Sequence, residues 1–192
     1  MGKFETAYKF TKTWEGGLDD DPVDAGGITK YGVSIEFLKD CERIDQTRLL
    51  CLGIKVPVTR ESIKSLRIDQ ARDLFRWRFW DTPGFDRYDA PLAVTLFDCA
   101  VNHGTSRAIR LAQKAFNAIS TDLGGKLAVD GIQGPLTMAA LSSLPPTVLA
   151  KEIIKQRKAF YQAIVDSRPL QKKFLKGWLN RANDLERYVE AL

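Results

Sequence analysis

A mainly α-helical fold with one small β element is what the sequence predicts, and three observations carry that expectation. Apolar residues recur at three- and four-residue spacing along most of the chain. Strand-like residues are confined to Ile28, Tyr31 and Val33, set among glycines. Gly and Pro punctuate the periodic stretches and leave short connections between them.

Phe4, Ala7, Tyr8, Thr11, Trp14 and Glu15 predict a first helix from about Lys3 to Glu15, stopped by Gly16 and Gly17. Asp19 to Gly32 is rich in turn formers and predicts a small β-hairpin or ordered loop. Ser34 reads as an N-cap for a short helix carrying Ile35, Leu38 and Cys41 on one face. Arg43–Val58 reads as loop with one helical turn. Thr59 or Asp69 caps helices over Glu61–Leu66 and Asp69–Trp80, and Pro83–Gly84 breaks the chain. Pro91 opens Leu92–Asn102, an almost wholly apolar run that predicts a central buried helix ended by Gly104. Ser106–Ile119 is a further helix, and Thr121–Pro135 is a turn-rich connection. Leu136–Leu144 is a short helix stopped by Pro145–Pro146. Two long amphipathic helices follow, Val148–Asp166 and Leu170–Leu192, split near Pro169. The softest boundary lies near Thr105.

The chain has 192 residues, 44% of them hydrophobic, enough for one compact domain or two small ones. Its net charge of +5 favours acidic partners: nucleic acid, an anionic envelope or an anionic polymer. No zinc-finger spacing, RNA-recognition aromatic motif or long Lys/Arg run supports nucleic acid. Cys41, Cys51 and Cys99 are odd in number and scattered, which predicts reduced thiols in a protein made in the cytoplasm. Cys99 lies four residues before the only histidine, His103; a buried thiol beside a capping imidazole is the plainer reading than a nucleophile and base. The N-terminal segment has no secretory signal pattern and no window suits a membrane span. A target outside the cytoplasm therefore requires another protein, an export partner, to carry this one there. A monomer is expected.

The stretch WEGGLDDDPVDAGGITKYG, Trp14 to Gly32, holds the richest chemistry. Glu15 falls at the end of the first predicted helix, where the dipole disfavours negative charge, and beside an indole. Both effects raise a carboxyl pKa in direction and suit a general acid. The plain alternative is a surface Glu at a frayed helix end. Asp24 follows in a loop able to fold back. Two carboxyls from different elements facing a cleft are the arrangement of glycoside hydrolysis: one protonates the leaving oxygen, the other steadies positive charge or directs water. Thr29 supplies a hydroxyl for that water, and Gly26 and Gly27 leave room for a bulky sugar. Asp19, Asp20 and Asp21 read as solvated turn residues. Their spacing does not fit a calcium loop, so no metal or cofactor is expected.

Asp98 and Asn102, four apart in the apolar helix, share a face. Polar groups there are either hydrogen-bonded structural members or the floor of a sugar-binding cleft. Trp77, Phe79 and Trp80 read as core, with Trp80 an alternative sugar platform. Tyr161 and Trp178 carry the same pair of readings, with packing the plainer one. Tyr31 is a further candidate for substrate contact. Lys151, Lys155, Lys158, Lys172, Lys173 and Lys176 would attract an anionic wall or outer-membrane surface.

These residues carry a resemblance. E-G-G-L-x-x-D-P-x-D-x-G-G-x-T-x-x-G-V, from Glu15 to Val33, is similar to the signature of the family 108 glycoside hydrolases, the lysozyme-like N-acetylmuramidases of phage endolysins and secretion-associated muramidases. The family usually carries Tyr where this chain has Leu18. The resemblance continues through R-F-W at Arg78–Trp80 and L-F-D-C-A-V-N-H-G at Leu96–Gly104. D-G-I-Q-G-P-L-T at Asp130–Thr137, R-x-x-F-Y at Arg157–Tyr161 and F-L-K-G-W-L-N-R at Phe174–Arg181 resemble the peptidoglycan-binding region that follows the catalytic part.

The resemblance implies a lysozyme-like fold: a helical bundle with a small β-hairpin near the catalytic cleft. It implies a catalytic region at residues 1–105 and a helical peptidoglycan-binding region at 106–192, packed as one body. It implies cleavage of the β-1,4 bond between N-acetylmuramic acid and N-acetylglucosamine in the periplasmic wall. The essential acid falls on Glu15, with Asp24 and Thr29 assisting. Three rivals stand beside this: a lytic transglycosylase leaving a 1,6-anhydro product, a chitinase, and a non-catalytic wall-binding protein.

Overall fold

In the computed structural model, which describes residues 2–15, 18–19, 28–120 and 125–192, helices dominate and a small antiparallel sheet accompanies them. Helix α1 spans Lys3–Lys12, so it stops before the Trp14–Glu15 pair expected to lie within it. The chain continues in turns, with Trp14 N–H donating to Thr11 O (3.0 Å) and Glu15 N–H to Lys12 O (3.3 Å). The expected hairpin is a sheet of three two-residue strands: β1 Leu18–Asp19, β2 Thr29–Lys30 and β3 Val33–Ser34, in the order β1-β2-β3. Both pairings are antiparallel, with Asp19 opposite Thr29 and Lys30 opposite Val33.

Ser34 caps helix α2 (Ile35–Cys51) as expected, its hydroxyl accepting from Phe37 N–H at 3.2 Å. That helix is longer than its apolar pattern suggests. It breaks at Asp45 (φ −156°, ψ 85°), whose carboxylate accepts from Arg48 N–H at 2.9 Å and so caps a second helical stretch. Helices α3 (Arg60–Lys64) and α4 (Ile68–Arg76) follow. Asp69 is not the cap of α4; Gln70 Oε1 instead accepts from Arg67 N–H (2.9 Å), while Gln70 Nε2 donates to Leu52 O and Gly53 O. A π-helical turn, Trp77–Asp81, extends α4, and a 3-10 turn lies at Phe85–Arg87. Beyond come α5 (Ala90–His103), α6 (Thr105–Ile119), α7 (Pro135–Ser142), α8 (Pro146–Ser167), a 3-10 turn at Pro169–Gln171 and α9 (Lys172–Glu190).

The chain packs as two units, Thr11–Arg78 and Met1–Phe10 with Phe79–Leu192. The Thr11–Arg78 unit is built on Ile28, Val33, Leu38, Leu49, Ile63, Leu74 and Phe75, all buried. In the other unit α8 packs against α5, α6 and α9. Phe4, Trp80 and Phe97 meet edge to face there, with centroids 5.7–5.9 Å apart. Tyr188 Oη donates to Thr6 O (2.9 Å) and Lys3 Nζ to Tyr88 O (2.9 Å), so the first turns of α1 belong to this unit.

Candidate active site

The acid of interest, Glu15, is half-buried on the turn after α1. Its neighbour is the two-residue loop that joins β2 to β3. Tyr31 (φ 52°) and Gly32 (φ 78°) both adopt left-handed backbone, the requirement of the type I′ turn that suits the twist of a hairpin. A Cβ placed on Gly32 would overlap Glu15 Oε2 and come within 3.0 Å of its Cδ and Cγ. The carboxyl therefore lies directly over the Gly32 backbone. The left-handed turn favours glycine there, and the missing side chain leaves the space that the Glu15 carboxyl occupies. Tyr31 is a non-glycine residue in the same region of φ, a conformation that costs free energy and that the hairpin imposes. Lys30 Nζ sits 5.4 Å from the Tyr31 ring centroid and donates to Lys64 O (2.5 Å), which fastens the hairpin to the end of α3.

Thr29 is half-buried on β2, the central strand, paired on both sides. Glu15, Thr29 and Tyr31 are thus gathered on one small sheet-and-turn assembly. Asp24, Gly26 and Gly27 lie outside the described residues. The loop-positioning glycine that the sequence reading passed over is Gly32. Its signal was present, since Tyr31-Gly32 is a two-residue link between two short strand candidates.

The remaining candidates gather at the C-terminal half of α5. Asp98 is 0% exposed. Arg157 Nη1 donates to its Oδ2 (2.6 Å) and Arg181 Nη2 to its Oδ1 (2.7 Å). Burial alone would raise the carboxyl pKa, but Arg181 and Arg157 outweigh it and hold the group below the usual carboxylate range. Of the two readings of Asp98, the structural one fits: both oxygens are engaged, so neither a sugar hydroxyl nor an acetamido group reaches it. Trp80, 2% exposed between Phe4 and Phe97, fills core and offers no face for a sugar. Tyr161 is likewise buried: Arg157 Nε donates to its hydroxyl (2.6 Å), which lies 3.1 Å from His103 Nε2 and 3.4 Å from Asn102 Oδ1. Asn102 is exposed, and Trp178 is half-buried, stacked on Tyr161 (5.3 Å) and Phe174 (6.0 Å).

Cys99 is buried, and burial pushes its thiol up to about 11. Burial, then the charge of Arg157, pushes His103 down to about 3, so its imidazole is neutral at ordinary pH. A thiol that stays protonated makes no nucleophile. Among the lysines of the C-terminal helices, Lys151, Lys155 and Lys158 are each paired, with Glu190, Glu152 and Glu186. Among the described residues no group of His, Cys, Asp and Glu is clustered as a metal site.

Two family models match the chain. Residues 8–104 match the model described as Glycosyl hydrolase 108, and residues 107–183 match the one described as Predicted Peptidoglycan domain. The first spans half the chain and contains the whole Glu15–Gly32 assembly. No curated protein is similar in sequence. Among solved structures, Brucella abortus SagA is similar with a TM-score of 0.75 and 25% identity, over 98% of this chain and 94% of that one. The mainly α, lysozyme-like architecture expected from the sequence is the one observed. The chain belongs to the glycosyl hydrolase 108 family and is a glycoside hydrolase directed at peptidoglycan.

Proposed function

We propose that the protein is an endolysin-type muramidase that hydrolyses the β-1,4 bond between N-acetylmuramic acid and N-acetylglucosamine, with Glu15 as general acid. The observation that carries this reading is the close approach of the Glu15 carboxyl to the Gly32 backbone. A general acid works only when its proton is aimed, and a rigid I′ turn under the carboxyl restricts where it points. Thr29, on the strand leading into that turn, assists by holding water, and Asp24 supplies the second carboxyl for the positive charge that grows at the sugar carbon. Asn102 and Trp178, which keep accessible surface, contribute contacts to the polymer.

In this reading the substrate is the periplasmic wall, and a holin or export partner releases the enzyme to it. Among the described residues no helix is long and apolar enough to cross a membrane. The test is mass spectrometry of purified peptidoglycan digested by wild type and by Glu15→Gln. Disaccharide peptides with reducing muramic acid, formed by wild type alone, are expected. Anhydro-muramic products would make the protein a lytic transglycosylase, and soluble products from the variant would move the acid elsewhere.

A further inference from the structure

Residues 125–134 contain no helix or strand, yet they are tightly tethered. Asn117 exchanges two hydrogen bonds with Leu127, donating to its carbonyl (2.8 Å) and accepting from its N–H (2.7 Å). Arg110 Nη1 donates to Val129 O (2.6 Å). Gln113, 1% exposed, works as a hub: its Nε2 donates to Asp130 Oδ1 (2.8 Å), Ile132 O and Thr137 Oγ1, and its Oε1 accepts from Gly131 N–H (2.9 Å). Gly131 (φ 75°) has no room for a side chain, because a Cβ would overlap Ser106.

This rigid segment presents apolar groups to solvent. Ile132 is 65% exposed and Leu136 is 82% exposed. Between them lies a depression of about 250 Å³ lined by Lys126, Asp130, Ile132, Gly134, Leu136 and Thr137 among others. It is smaller than the roughly 300–1,000 Å³ of pockets that enclose a whole drug-sized ligand, so it suits one residue of a larger polymer. Among the described residues none of its lining is aromatic, so it has no ring on which a sugar would stack. It does hold one cation and one anion. Asp130 stays ionised, its carboxyl lowered by the Ile132 N–H and by Gln113.

We propose that this depression binds the peptide stem of peptidoglycan rather than its glycan. Stem peptides carry free carboxylates and, in many walls, the side-chain amine of a diamino acid. Lys126 pairs with a carboxylate, Asp130 with the amine, and Ile132 and Leu136 cover the alanine methyls. The inference rests on the reading of the chain as a peptidoglycan hydrolase, and gives its C-terminal part a role separate from bond cleavage.

The test uses the full-length protein and the free stem tetrapeptide L-Ala–D-Glu–diaminopimelate–D-Ala, which has no glycosidic bond to cut. Methyl NMR should show the Ile132 and Leu136 signals shifting on titration, while peptide-free chitotetraose leaves them in place. Ile132→Asp with Leu136→Asp should weaken the tetrapeptide about ten-fold or more. Lys126→Glu should weaken it as well. Both changes should leave cleavage of short soluble muramyl glycans, and the melting temperature, unaltered. Equal binding by the double variant, no methyl shift up to millimolar peptide, or shifts caused by chitotetraose would overturn the proposal. If those occur while wild type still digests whole peptidoglycan, the stem site alone is wrong; loss of digestion by wild type would reject the hydrolase reading itself.

Discussion

Two carboxylates, Asp98 and Glu15, show how one chemical group is held in opposite ways. Asp98 sits in a helix interior, without solvent, clamped by two guanidiniums from α8 and α9. Glu15 sits on a turn, half-exposed, with a glycine backbone beneath it. The first is neutralised and immobile, and its charge is consumed in fixing three helices. The second is positioned by shape, by a neighbour that lacks a side chain. A carboxylate intended for proton transfer cannot be locked between two permanent cations, because they would hold it ionised. One intended to lock a core must be.

Exchanging the amide for the acid at each site separates the two roles. Glu15→Gln should lower wall hydrolysis by about 10²–10⁴-fold. Its unfolding free energy should stay within about 0.5 kcal/mol of wild type, measured by urea titration. Asp98→Asn should do the reverse. Removing one partner of a buried pair typically costs about 3–5 kcal/mol, and here it leaves two guanidiniums facing a neutral amide. Activity per folded molecule should persist at temperatures where the variant remains folded. An Asp98→Asn protein that is stable but inactive would place Asp98 in the reaction after all.

Gly32→Ala tests the shape argument. The left-handed backbone at φ 78° should cost about 1–2 kcal/mol with a Cβ present, and the methyl should displace the Glu15 carboxyl. The expected result is a drop in kcat larger than the loss of stability explains, with KM little changed. Gly84→Ala, another glycine of positive φ, should cost stability without that drop in kcat.

The smallest effects come from pH. The folded pKa of Asp98 lies below its unfolded value near 4, so its contribution is complete above about pH 4 and is lost as the pH falls further. His103 is also depressed, to about 3 against an unfolded value near 6.5. The unfolded chain therefore takes up a proton first, and stability declines as the pH falls from about 6.5 towards 3. At about pH 5.5 this amounts to at most about 1.4 kcal/mol. His103→Gln should flatten the slope between about pH 6.5 and 4 while leaving the steeper loss below pH 4 that Asp98 governs. Chemical unfolding at a series of pH values distinguishes the two.

Much of this architecture was legible in the sequence wherever the cause is local. Ser34 capping α2, Gly104 closing α5 and the apolar run of α5 itself all depend on neighbours a few residues away. Glu15 was legible as a candidate acid because its flanking glycines and the acids after it are a dense local pattern. What escaped was non-local or compensated. Arg157 and Arg181 lie 59 and 83 residues from Asp98, and nothing around either arginine marks it as that partner. Trp80 and Tyr161 have the composition of sugar platforms, and only burial disqualifies them. Asp45 restarts a helix that its sparse apolar residues would not support alone. Gln113 gives no hint that its amide organises a loop seventeen residues on.

The Asp98 clamp also bears on modularity. The two family matches meet between residues 104 and 107, an inviting place to cut or splice the chain. The clamp straddles that seam, since α5 ends at His103 while α8 and α9 lie beyond it. A fragment beginning at residue 106 would inherit Arg157 and Arg181 without their anion, and the apolar faces of α6 and α8 without the helix they pack against. Such a fragment should be expressed as a molten or aggregating species, visible as dye-binding helical protein without a cooperative melt. Exchange between relatives would succeed only if α5 travels with the helices that follow it. The ion pairs and helix contacts that cross residues 104–107 make that prediction specific to this boundary.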